Sequence, residues 1–351
     1  MNIELSTLDL STLLPGNGKA GTDSEQLLAV QLRQACEMDG FFYLVHHGVP
    51  DQLIQSTFSR SKEFFTTLTS DEKRSLLAVK SRGYTPLAEE TLDPANQSRG
   101  DTKEGYYIGN REQENDDAND AAAEGNDAIG CNVWPSEEML PGWKTTMQTY
   151  FQAVHNLGMR MLRILALSLN LPANFFDAEF SRPMEALRLL HYSEEQSQVK
   201  SGVLGCGAHS DYGMLTFLLT DDVPGLEILK RSSSSSVEVV EEEDGGNGQW
   251  LRVAPSPGNF IVNLGDMLER WTNDFYRSTI HRVINFEGKE RFSIPFFFEP
   301  NFTTVVECLP AFVTEENPAK YPPTTSGLHL LSKYAQTHAN FQAEDSEGKK
   351  D

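Results

Sequence analysis

The sequence predicts a mainly β protein with helices (α+β), an N-terminal helical region leading into a jelly-roll or barrel core. Three observations carry this. Apolar residues recur at helical spacing up to about residue 180, most clearly from Gly142 to Leu169. After Arg182-Pro183 the period becomes strand-like, with about eight short runs separated by Gly, Pro and Asn signals. The chain has 351 residues, 39% hydrophobic and 10% aromatic, enough to bury a core as one large domain or two ordinary ones.

Thr22-Asp-Ser-Glu25 reads as a capping box, and Leu28, Leu32, Ala35 and Cys36 follow on one helical face as far as Asp39-Gly40. Phe41–Val45 is expected to be a buried strand. Adjacent residues of a strand face opposite sides, so His46 and His47 after it cannot easily share an ion and are expected to be structural. Pro50-Asp51 opens a second helix carrying Leu53, Ile54, Phe58, Phe64 and Phe65, and Ser70 is expected to cap a short third. Residues 82–110 look irregular, and the acidic segment 111–130 has too little apolar surface to order itself. In the long helix, Met147, Tyr150, Phe151, Val154, Leu157, Met161, Leu162, Leu165 and Leu169 form a packing face that Leu171-Pro172 ends.

The expected strands are Leu187–Tyr192, Cys206–His209, Met214–Leu219, Gly225–Leu229, Trp250–Val253, Asn259–Leu264, Tyr276–Phe286 and Phe292–Pro300. A serine-rich, acidic insertion at about 231–248 interrupts them and is expected to be disordered. The tail is polar and Pro-rich apart from a helix near Leu328–His338. The regions so drawn are 1–130, 131–183, a core at 184–310, and 311–351.

A formal net charge of −22 argues against nucleic acid or an anionic membrane surface as partner. Segments 111–130 and 238–244 hold about half of that charge, so a uniformly acidic surface is not implied. The four cysteines are scattered, without a Cys-x-x-Cys or a paired framework, which suits a reducing compartment. No signal peptide and no run of eighteen apolar residues is visible; a cytoplasmic protein is expected, and a monomer, since no repeat or coiled-coil pattern suggests assembly.

The chemistry concentrates at Gly205-Cys-Gly-Ala-His209-Ser-Asp211. His209 and Asp211 are two apart and share a strand face. Such a triplet arises about once by chance in a chain of this composition, so it needs support. His281 supplies a second imidazole, and two imidazoles plus one carboxylate can occupy one face of an octahedral ion, the facial-triad pattern of non-haem iron(II) sites. The same ligands can also hold zinc. Ten residues on, Arg291 and Ser293 also share a strand face, so a guanidinium fork and a hydroxyl could grip one carboxylate. A co-substrate chelating the metal and held at its far end by Arg291 would be a keto dicarboxylate, which describes 2-oxoglutarate. Cys206 is read as a buried small residue rather than half of a zinc site, and Asp266 as a structural residue at the turn after Leu264-Gly265. Tyr106, Tyr107, Phe296 and Phe298 are aromatic core by default, with the substrate cavity as the other reading.

Taken with Ala35–Pro50, Lys103-Glu-Gly-Tyr-Tyr107, Leu187-Arg-Leu-Leu-His-Tyr192 and Asn263–Asn273, these motifs resemble the iron(II)- and 2-oxoglutarate-dependent dioxygenases, in the isopenicillin N synthase-like branch. The resemblance covers nearly the whole chain. It implies a double-stranded β-helix (jelly-roll) core, with His209, Asp211 and His281 as iron ligands. Arg291 and Ser293 would hold 2-oxoglutarate, and Tyr192 matches a tyrosine that often contacts it. Leu190 stands where many plant members have an asparagine, which puts one co-substrate contact in doubt. The implied activity is oxidation, most often hydroxylation, of a small organic molecule by O2, with release of succinate and CO2. The alternatives are an oxidase of the same branch that uses no 2-oxoglutarate and a non-catalytic binding protein of the same fold. No motif names the substrate.

Overall fold

The computed structural model describes residues 2–14, 22–110, 112, 130–231 and 248–337. In chain order the elements are β1 (Asn2–Ile3), β2 (Ser6–Asp9), α1 (Thr22–Met38), β3 (Phe41–Val45), α2 (Asp51–Thr67), α3 (Ser70–Arg74), β4 (Gly83–Thr85), β5 (Lys103–Gly109) and α4 (Trp143–Ser168). The core follows as β6 (Ala186–Tyr192), β7 (Cys206–His209), β8 (Leu215–Thr220), β9 (Leu226–Arg231), β10 (Gly248–Val253), β11 (Phe260–Leu264), α5 (Asp266–Trp271), β12 (His281–Val283) and β13 (Arg291–Phe298). A small ribbon, β14 (Val305–Val306) with β15 (Thr324–Thr325), leads into α6 (Ser326–Thr337).

Two sheets form the core. The larger has the order β2-β3-β11-β8-β13-β6-β5-β4, the smaller β1-β10-β9-β12-β7. Period-two alternation divides each central strand of the larger sheet between two environments. In β13, Phe292, Ile294, Phe296 and Phe298 join Leu215, Phe217 and Leu219 of β8 in a core built with α1, α2 and α4. Arg291, Ser293, Pro295 and Phe297 point the other way, into the space between the sheets. There the sheets meet through Phe41 and Ile261 on one side and Leu226, Ile228, Leu251 and Val253 on the other. The larger sheet thus has a dry helical face and a face reserved for chemistry.

The helices and most core strands lie where the sequence places them, with several differences. Residues 82–110 are not irregular throughout. Strand β5 pairs with β6 along its whole length, Lys103 opposite Tyr192 and Gly109 opposite Ala186. Its charged residues hid it, because Lys103 and Glu104 are buried by ion pairing rather than by apolar packing. Helix α3 is capped by Thr69, whose hydroxyl accepts from the Glu72 N–H at 3.3 Å while the Glu72 carboxylate accepts from the Thr69 N–H at 2.8 Å. Ser70 is therefore the first helical residue instead of the cap. Of the expected strand 276–286, only His281–Val283 is extended. The short β1 and β2 and the six-residue α5 were not anticipated. The expectations for residues 111–130 and 231–248 fall largely outside the described residues.

His46 and His47 are structural, as read. His46 has φ +49° and its Nδ1 meets Asp9 at 2.9 Å. The His47 Nε2 donates to the Gly258 carbonyl, leaving Nδ1 to accept from the Val49 N–H.

Candidate metal centre and its cavity

Strands β7 and β12 pair antiparallel with His209 directly opposite His281, so both rings are carried to one place between the sheets. Their centroids lie 4.2 Å apart. Asp211 lies in the turn after β7. Its Oδ1 is 3.8 Å from the His209 Nε2 and 3.7 Å from the His281 Nε2, and all three ligand atoms fall within 4.8 Å of one another, close enough for one ion to bridge.

The surroundings orient each ligand. The His209 Nδ1 is 2.8 Å from the Gly207 carbonyl and the His281 Nδ1 is 3.1 Å from the Thr279 carbonyl. A carbonyl only accepts, so each Nδ1 carries the proton and each Nε2 presents its lone pair to the centre. Phe41 and the His281 ring meet edge to face, and burial, with His209 beside it, pushes that imidazole down to about 4. It is neutral, as a metal ligand must be. On Asp211, Oδ2 accepts from the Thr216 hydroxyl at 2.5 Å and the Asn263 amide at 2.6 Å, which leaves Oδ1 for the centre. The donor set and these partners fit a divalent ion such as iron(II).

The start of α5 holds the turn that carries Asp211. The N–H of Asp266 donates to the Asp211 carbonyl and that of Met267 to the Gly213 carbonyl. The Asp266 side chain ties this corner to α6, 2.8 Å from the Lys333 Nζ. Although burial raises its pKa, the neighbouring Lys333, with His329 3.8 Å away and Ser210 beside it, holds it well below the usual carboxylate range. Asp266 is structural, as read, but it begins a helix rather than a simple turn.

Along the same face of the larger sheet, Arg291 and Ser293 line the cavity that contains His209, Asp211 and His281. Arg291 is 2% exposed, its Nε donates to the Val223 carbonyl, and its Nη1 is buried without a partner. No carboxylate among the described residues forms an ion pair with it. Tyr192, opposite Arg291 across the β6–β13 pair, lays its ring 4.8 Å from the guanidinium carbon and shares a hydrogen bond with Ser293. A buried guanidinium with an open nitrogen and two neighbouring hydroxyls suits a carboxylate. Leu190 packs with Tyr192, Cys206 and Val283 in the cavity wall and adds apolar surface where an amide would have offered a donor.

Cys206 is no ligand. Burial raises its thiol to about 12, and its Sγ lies 3.9 Å from the His209 Nδ1, the nitrogen that faces away from the centre. Gly207 serves the packing of a neighbouring loop. A Cβ there would stand 2.2 Å from the Gln97 side chain and 2.8 Å from the Asp93 nitrogen, so it makes room for the 93–101 loop.

A second lobe opens from His209 and Asp211 and is lined by Tyr107, Arg188, Tyr212, Phe297, Glu299 and Tyr334. Of the four aromatics considered from sequence, only Tyr107 faces it; Tyr106, Phe296 and Phe298 belong to the helical core. Phe297 was missed, although it shares the parity of Arg291 and Ser293. Arg188, Glu299 and Tyr334 carry no sequence signal of their own.

Comparison with known proteins agrees with this geometry. Residues 184–300 match the model of the 2OG-Fe(II) oxygenase superfamily and residues 5–137 that of the non-haem dioxygenase N-terminal region. The chain is 36% identical to Kihadalactone A synthase LFS of Citrus sinensis, covering 92% of this chain and 91% of that protein. It is 35% identical to the 2-oxoglutarate-Fe(II) type oxidoreductase hxnY of Emericella nidulans, with 92% and 89% covered. The structure superposes on full-length Neurospora crassa T7H in complex with alpha-KG with a TM-score of 0.77 at 28% identity, covering 95% and 96% of the two chains. Sequence, jelly-roll architecture and relatives converge, and the chain belongs to the 2OG-Fe(II) oxygenases, enzymes that use iron(II), 2-oxoglutarate and O2.

Proposed function

We propose that His209, Asp211 and His281 hold the iron and that Arg291, Ser293 and Tyr192 seat the far carboxylate of 2-oxoglutarate, for the oxidation of a small organic molecule bound in the adjoining lobe. The observation that carries the reading is the open, buried Nη1 of Arg291 in the same cavity as the two Nε2 atoms and Oδ1. Iron(II), when bound, supplies the redox chemistry with O2 and 2-oxoglutarate.

The chain supplies position and exclusion of water. Thr216 and Asn263 keep Asp211 aimed, and the carbonyls of Gly207 and Thr279 fix the imidazole tautomers. Arg291 neutralises the distal carboxylate, and its hydrogen bond to Val223 sets the angle of the fork. Leu190, Val283 and Leu226 keep that end dry, which strengthens each of these contacts.

Hydroxylation is the outcome we favour, in a protein of the isopenicillin N synthase-like branch acting in the cytoplasm as a single subunit. The matching N-terminal region supports the branch. The test is an anaerobic titration of the iron(II) protein with 2-oxoglutarate. A visible metal-to-ligand charge-transfer band is expected in the wild type, and its absence would overturn the proposal in favour of an oxidase that uses no 2-oxoglutarate.

A further inference from the structure

The two buried arginines of the cavity differ in what surrounds them. Arg291 has no acid paired with it among the described residues. Arg188, 5% exposed, is paired through its Nη2 with Glu90 at 2.5 Å, and Glu90 is in turn 3.1 Å from Lys103. Its charge is already taken up. Its Nε is nevertheless buried without a partner, and the residue lines the lobe beside the iron ligands. Gly105 leaves the room for it, since a Cβ there would lie 3.0 Å from that Nε. Such a group offers a hydrogen bond more than a net charge.

Glu299 stands in the same lobe, 4% exposed, with the buried Arg82 as its cationic neighbour. A carboxyl group there, ionised or not, has an oxygen that accepts from an N–H or O–H. The remaining walls are the rings of Tyr107, Tyr212, Phe297 and Tyr334. Tyr107 lies 4.2 Å under the Arg188 guanidinium, and Tyr212 meets Tyr334 edge to face at 6.1 Å. Rings of this kind favour flat partners.

Resting on the function proposed above, we infer that the substrate is a flat, uncharged ring compound. It carries a carbonyl-type acceptor for Arg188 and an N–H or O–H donor for Glu299, as a cyclic amide or a related nitrogen heterocycle does. A carboxylate substrate would have to displace Glu90 from Arg188, which leaves a buried charge short of a partner.

The test is calorimetric titration of the iron(II)·2-oxoglutarate holoenzyme, without oxygen, with uracil, 2-pyridone and nicotinamide against benzoate and nicotinate. At least one neutral ring is expected to bind tenfold or more tightly than either carboxylate. Glu299→Leu should weaken that ring tenfold or more, Glu299→Gln should restore most of the loss, and both should bind 2-oxoglutarate as the wild type does. Tighter binding of a carboxylate, no binding of any neutral ring, or unchanged binding in Glu299→Leu would each overturn the inference while leaving the oxygenase reading intact. Failure of 2-oxoglutarate itself to bind would overturn both.

Discussion

Asn263 donates a 2.6 Å hydrogen bond to the Oδ2 of Asp211 across 52 residues of sequence. Asn263 is on β11, buried, and pairs with Thr216, whose hydroxyl reaches the same oxygen. Two neighbouring strands thus hold one oxygen of the carboxylate so that the other is free. Replacing Asn263 by Ala is expected to weaken iron(II) affinity by about 10- to 100-fold, the usual cost of losing an outer partner of a ligand. Equilibrium dialysis of iron(II) against the variant checks this, and wild-type affinity would show that Thr216 alone orients the carboxylate.

The absence of an ion pair to Arg291 among the described residues has a kinetic counterpart. Arg291→Lys keeps the charge but loses the fork, so the KM for 2-oxoglutarate is expected to rise by about tenfold or more. Iron binding should be unchanged. Succinate formation against 2-oxoglutarate concentration, with iron content measured in parallel, decides it. An unaltered KM would place the co-substrate carboxylate elsewhere.

Glu104 joins four elements. Its carboxylate meets Lys73 at 2.9 Å, the Tyr84 hydroxyl at 2.5 Å and the His191 Nδ1 at 2.8 Å. Burial raises its pKa, but the bonds from His191, Tyr84 and Lys73 outweigh that and bring it below the ordinary 4.5. A carboxylate whose folded pKa is depressed contributes stability that is present above its unfolded value and is lost as pH falls through the folded one. Glu104→Gln is therefore expected to cost about 2 kcal/mol at pH 7. Urea unfolding at a series of pH values should show the gap between variant and wild type closing below pH 4.5. A gap independent of pH would mean that shape, not charge, is what Glu104 contributes.

Gly158 faces β13 from α4. A Cβ there would lie 2.5 Å from the Phe298 ring, which is itself stacked on Phe180 at 4.7 Å and fully buried. Alanine favours a helix over glycine by about 1 kcal/mol, but the ring has nowhere to go. Gly158→Ala is expected to destabilise by about 1 to 3 kcal/mol, as overpacking does. Thermal unfolding measures it, and a raised Tm would show that the helix shifts to make room.

The metal centre was legible because its information is local. His209-x-Asp211 and Arg291-x-Ser293 use the two-residue repeat of a strand, and His281 stands in register with His209 once β7 and β12 pair. Phe297 could have been found by the same count from Arg291. The second lobe was not legible. Arg188 sits in mostly apolar strand sequence and Glu299 just past the end of β13, and only the close approach of β6, β13 and α6 gives them a common neighbour. Strand β5 was hidden for a related reason: Lys103 satisfies its charge on Asp101 and Glu90, partners that its own sequence pattern does not announce. Helix α5 is six residues long, shorter than periodicity can detect.

The alternation of β13 has a consequence for how such a chain can change. Slipping its register by one residue would bring Phe292 and Ile294 into the cavity of the candidate metal centre and drive Arg291 and Ser293 into the helices, an exchange of every side chain at once. Point substitutions can therefore retune the cavity one position at a time, whereas a single insertion or deletion between residues 291 and 298 would remove the proposed co-substrate seat and the hydrophobic core together.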